Sequence, residues 1–167
     1  MVTAEARDGP ARRLWRSSTS RAHGAEARRF TFSMPTAVIS YAHVDRHFGA
    51  QAKAALAEVG IEAFLAHEDL VVSDEWRAHI VEALQRCILF VPLLSKAFLA
   101  SQWAPQEAGF IVSRLPDVVV APLSIDGTRS FGFLSHLQSP MIPAGGITRV
   151  VLVEPLARQL PVRFFRD

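Results

Sequence analysis

The sequence predicts an α/β domain built on a parallel sheet, and three observations carry that prediction. Short, near-continuous apolar blocks recur at residues 37–41, 61–65, 87–94 and 118–121. Segments with helical spacing of apolar residues lie between the first blocks, so strands alternate with helices and right-handed βαβ units follow. The blocks do not alternate apolar with polar, which is the pattern of strands buried on both faces. The chain has 167 residues, half of them apolar and a fifth charged, enough for one globular core.

Residues 1–33 precede this pattern. They lack apolar periodicity, are rich in Arg, Ala and Ser, and read as a disordered basic extension. The same composition also suits a transit peptide, or upstream sequence ahead of Met34. The domain is expected over residues 34–154, followed by a short irregular tail at 155–167. Within it, Ala37-Val38-Ile39-Ser40-Tyr41 is the first strand, and Asp45 is placed as a helix N-cap. Phe48, Ala52, Ala55, Leu56 and Val59 then fall on one helical face, and Gly60 is placed to end that helix in a left-handed conformation. Residues 61–65 are the second strand and 67–72 a loop. Ser73 is the expected cap of a second helix that buries Trp76, Ile80, Ala83 and Leu84. Residues 87–94 are the third strand, with pairing expected to stop near Val91 because Pro92 has no N–H to donate. A third helix should start at Ser101 or Gln102, with Pro105 in its first turn. Residues 118–121 are the fourth strand and 150–153 a candidate fifth.

Composition excludes several function classes. No apolar run approaches the roughly 18 residues of a membrane span. The single cysteine, Cys87, rules out an internal disulfide and a zinc site built on several cysteines; it fits a reducing, cytoplasmic setting, and within its apolar run it reads as a buried thiol. The chain's net charge of +2 comes from residues 1–33, where seven arginines face three acidic residues; residues 34–167 carry −2. No basic nucleic-acid face is therefore indicated on the globular part. His43 and His47 flank Asp45 but lack a third ligand, so no metal is expected. No phosphate-binding glycine loop and no dinucleotide fingerprint occur, so a bound NAD would be substrate and not a held hydride carrier.

Ligands of open parallel sheets bind beyond the carboxyl ends of the strands. That rule singles out the segment from Ser40 to His43, the segment 66–74, and the start of the third helix. There, Trp103 and Glu107 stand four apart and share a helical face. An indole can stack on a planar cation, and a carboxylate can stabilise positive charge developing on a sugar. Such a pair suits cleavage of the nicotinamide–ribose bond of NAD, which needs no general acid because nicotinamide leaves neutral. The plainer alternative is a core anchor beside a solvated carboxylate.

Four segments in order resemble Toll/interleukin-receptor (TIR) domains, the bacterial kind especially. They are Val38 to Arg46, Phe64 to Leu70 with Glu75-Trp76, Leu93-Leu94-Ser95 with Ser101-Gln102-Trp103-Ala104-Pro105-Gln106-Glu107, and Phe131-Gly132-Phe133. The resemblance, which spans about residues 36–138, implies a flavodoxin-like three-layer fold with about five parallel strands. It also implies immune or anti-phage signalling through NAD+ hydrolysis or cyclisation, dependent on self-association with other TIR domains; the charge and apolar runs described above add no nucleic-acid or membrane partner. Glu107 falls on the family's catalytic glutamate. Ser40, Tyr41, Ala42, Phe64, Ala66, His67, Glu68 and Trp103 fall on substrate-contact positions; NAD is the substrate and no other cofactor is implied. The chain departs from the family at Val38, where Phe is usual, at Ala42, where some members carry Arg, and at Ala66, where many carry Asp. The Pro-rich tail leaves the family's last helix doubtful. Two other readings stay open: a non-catalytic adaptor acting through TIR–TIR contacts at Val71 and Val72, and a flavodoxin-like nucleoside deoxyribosyltransferase.

Overall fold

The structure, a computed structural model, describes residues 36–66 and 74–157. The basic extension, the loop at 67–73 with the expected cap Ser73, the side chain of Trp76, and the tail beyond 157 lie outside the described residues. Five parallel strands form the sheet. They are β1 (Ala37–Ser40), β2 (Ala63–Leu65), β3 (Leu89–Leu94), β4 (Val119–Val120) and β5 (Leu123–Ser124). The order is β2-β1-β3-β4, and β5 also pairs with β3. The predicted α/β architecture is the one observed.

Helix α1 (Arg46–Ala57) buries Ala52, Ala55 and Leu56 on the stripe that its spacing predicts, with Phe48 and Val59 partly buried. Gly60 ends it at φ +74°, and the Ile61 N–H reaches back 3.0 Å to the Leu56 carbonyl. Asp45 stands at the N-cap, but its carboxylate bonds no helix N–H. It accepts instead from Ser95 Oγ at 2.6 Å, and Ser95 Oγ accepts from the Phe98 N–H at 2.9 Å. This chain of bonds ties the exit of β1 to that of β3, where Ser95 caps a short helix α3 (Lys96–Ala100). Periodicity alone did not announce α3, because five residues make little more than one turn.

Pairing along β3 does not stop at Val91, as the presence of Pro92 suggested. Ser40 pairs with Pro92, and Leu93 and Leu94 pair with Leu123 and Ser124. The carbonyls of Ile88, Phe90 and Leu94 accept from Val119, Ala121 and Ile125, so even-numbered residues of β3 face the β4–β5 side. One register relates β3 to both short strands, with Phe90 opposite Val120 and Leu93 opposite Leu123. Pro92 therefore falls opposite Pro122, in the break between β4 and β5. Its missing donor meets a point where the neighbouring strand is interrupted anyway.

The candidate fifth strand at 150–153 is a helix, α5 (Arg149–Leu156). Its β-branched residues favour a strand by propensity, but tertiary packing decides. Leu152, Val153 and Leu156 are buried in the layer that α1 shares with β1 and β3, while Val150 is exposed. The C-terminal helix is thus present, though short. The other layer packs Val38, Phe90 and Ala66 against α2 (Asp74–Arg86), through Ala83 and Leu84, and against α4 (Ala104–Val112), through Ala108 and Ile111. No helix among the described residues is long and apolar enough to cross a membrane.

Candidate active site

Successive residues of a strand face opposite layers. Val38 points into the α2–α4 layer and Ile39 into the α1–α5 layer. Ser40 therefore leaves β1 on the α4 side. Its hydroxyl donates to Glu107 Oε2 at 2.5 Å, a buried bond across 67 residues of sequence. Glu107 stands in the first turn of α4 and is 4% exposed. The helix start is set by Ser101, whose Oγ accepts from the N–H groups of Trp103 and Ala104. Pro105 occupies the first turn, where its missing N–H leaves no bond unmade.

Burial pushes the Glu107 carboxyl up from an ordinary 4.5 to about 7, while the Ser40 hydrogen bond opposes that rise by favouring the ionised form. Near neutral pH the group is divided between its two protonation states. Such a group is tuned by its surroundings, and buried carboxyls of this kind concentrate at functional sites.

Trp103 occupies the N-cap position of α4, one turn before Glu107, and its carbonyl accepts the Glu107 N–H at 3.0 Å. The indole is half-buried. The guanidinium of Arg77, from the first turns of α2, lies over the ring with Cζ 5.1 Å from its centroid. Nothing in the spacing of α2 points to Arg77, which reads there as one more exposed arginine. The Ser95–Asp45 pair was likewise missed, because Asp45 satisfies a helix-cap pattern that its side chain does not use.

The remaining candidate residues are placed differently. Tyr41 is buried in the α1 layer, away from the layer that holds Glu107. Its ring packs so close to Gly49 that a Cβ there would sit 2.9 Å from the ring edge. Ala42 is buried at the turn after β1. Phe64 and Ala66 face the Glu107 layer, Phe64 opposite Val38 and Ala66 through its N–H to the Ile39 carbonyl at 3.0 Å. His67, Glu68, Val71 and Val72 lie outside the described residues. The structure thus gathers Ser40, Phe64, Ala66 and Glu107 on one side of the sheet, near the carboxyl ends of β1 and β2. Among the described residues, no group of three or more His, Cys, Asp or Glu side chains is placed to hold a metal ion.

The family model described as TIR domain matches residues 38–143, more than half of the chain. No curated protein matches it. Among solved structures, the chain is similar to the TIR domain of the Toll-related receptor TRR-2 from the lower metazoan Hydra magnipapillata. The TM-score is 0.59 at 18% identity, over 75% of this chain and 97% of that one.

Proposed function

The chain belongs to the TIR-domain family, and from that premise we propose that it is an NAD+ glycohydrolase whose reacting carboxylate is Glu107. The observation that carries this reading is the buried Glu107–Ser40 pair at the carboxyl ends of the strands, with a carboxyl poised at about 7. In the reaction, the bond between ribose C1′ and the nicotinamide nitrogen breaks. Its electron pair neutralises the pyridinium, so nicotinamide leaves uncharged. Positive charge develops at C1′ and the ring oxygen, and the Glu107 carboxylate stabilises it directly or through the ribose hydroxyls. Water then attacks C1′ and gives up a proton, yielding ADP-ribose; attack by a nucleophile of the substrate itself gives a cyclic isomer. Self-association with other TIR domains completes the cleft, and the product serves in immune or anti-phage signalling.

The test is nicotinamide release from NAD by concentrated protein across pH 5.5–8.5. Activity should rise with pH through about 7, because only the ionised carboxylate acts, and Glu107→Gln should lower it about 100-fold or more. Equal rates in the variant remove the mechanism. A second reading, a non-catalytic adaptor, is favoured by the near-complete enclosure of Glu107 and by methyl groups at Ala42 and Ala66, two positions at which the chain departs from the TIR pattern. Under that reading, partner binding is indifferent to Glu107→Gln and sensitive to changes at Val71 and Val72.

A further inference from the structure

Trp103 is half-buried, so the protein covers part of the indole and leaves part toward solvent. Arg77 is itself exposed and lies over the ring face with its guanidinium carbon 5.1 Å from the centroid. An exposed side chain on a half-buried ring covers that ring's solvent side. The guanidinium is planar and permanently cationic. A pyridinium ring, such as the nicotinamide of NAD+, is planar and cationic as well, and is drawn to an indole face by the same quadrupole. The face that would receive the ligand therefore already holds a group of the ligand's own chemistry.

We propose that Arg77 occupies the Trp103 face in place of a planar cationic ring, so that a pyridinium ligand binds by displacing it. The inference rests on the reading of Trp103 as the ring platform in the proposed NAD+ site. Arg77 is then an affinity-setting residue: the ligand meets a receptive indole only in the fraction of molecules whose Arg77 has swung away, and apparent affinity falls by that fraction. Its position suits the role. It is exposed on α2, while the Trp103 backbone is held by Ser101 at the start of α4, so a change of the Arg77 side chain alone uncovers the indole.

The probe is 1-methylnicotinamide, a pyridinium that lacks ribose and phosphates and cannot be cleaved as NAD is. Stacking on indole produces a charge-transfer absorption, which is followed by titration into the full chain. Trp103→Phe identifies the part of the signal that belongs to this ring, since Trp15 and Trp76 are also present. Removing an exposed cation–π competitor should tighten binding to Arg77→Ala by about two- to five-fold. Arg77→Lys, which keeps the charge and loses the planar fork, should fall between Arg77→Ala and the native chain. A Trp103-dependent signal with unchanged or weaker affinity in Arg77→Ala overturns the inference and leaves the platform standing. Absence of any Trp103-dependent signal overturns both. The activity of Glu107 is decided separately, by nicotinamide release in the native chain and in Glu107→Gln.

Discussion

At the scale of single residues, the chain holds a carboxyl in surroundings that resist its charge. Glu107 has a folded-state value of about 7 against an ordinary 4.5. Between those two pH values the native state holds a proton that the unfolded state has released. The protonated form is therefore fully stabilising below 4.5, and stability falls as pH rises through 7, by about 3 kcal/mol in all. Glu107→Gln removes the charge and leaves Ser40 an amide oxygen to donate to. It should melt higher than the native chain at pH 8, with the difference vanishing toward pH 4.5; a constant difference across that range contradicts the assignment. Ser40→Ala is read in the pH dependence of activity. Without the hydroxyl that favours the carboxylate, the ionisation moves up, so nicotinamide release at pH 7 should drop several-fold and recover at higher pH. A pH-independent loss assigns Ser40 to packing alone. The spacing of four that singled out Trp103 and Glu107 corresponds to one turn of backbone, with the Glu107 N–H bonded to the Trp103 carbonyl at the start of α4. Ser40 was legible only as a strand-end residue, since nothing local encodes a partner 67 positions away. Arg77 was not legible at all, because an exposed arginine on an amphipathic helix has many possible neighbours.

At the scale of elements, what could be read from sequence was what local periodicity determines. The stripe of α1 and the left-handed Gly60 follow from spacing and from the absence of a Cβ. The split of the fourth strand at Pro122 does not, because it depends on which residue of β3 faces it. The end of α2 is another tertiary feature. Arg114, on the turn after α4, donates from Nη1 to the carbonyls of Leu84 at 2.6 Å and Cys87 at 2.7 Å. A cation at a helix C-terminus meets the negative end of its dipole and satisfies carbonyls that the helix itself leaves open. Burial pushes the Cys87 thiol up despite this neighbouring guanidinium, which disfavours the thiolate in the folded chain. Arg114→Ala should cost about 1–3 kcal/mol, read as a lower urea midpoint. It should also speed the reaction of Cys87 with a thiol reagent, as the end of α2 opens more often. Unchanged labelling would place the guanidinium bonds outside the energetics of that helix end.

At the scale of the whole molecule, the sheet needs cover on both faces, and α5 supplies part of one. Its composition argues for a strand and its packing for a helix, so the two readings make different demands on consecutive residues. In a strand, Val151 and Val153 share a face and Val150 and Leu152 share the other. In the helix, Leu152, Val153 and Leu156 are buried together in the α1 layer while Val150 is 61% exposed. Leu152→Ala should cost about 2–5 kcal/mol, and Val150→Ala should stay within about 0.5 kcal/mol. Against the 5–15 kcal/mol that holds an ordinary domain together, the loss at Leu152 is large enough to unfold a weakly stable one. It would also bare apolar surface on α1, so the variant should lower the denaturant midpoint and promote concentration-dependent association. That association must be separated from the self-association that the proposed enzyme requires. Loss through misfolding abolishes the cooperative unfolding transition, whereas productive assembly retains it and raises nicotinamide release with protein concentration. Equal midpoints for Leu152→Ala and Val150→Ala would mean that residues 149–156 do not pack as the structure has them, and the α1 face of the sheet would need another cover.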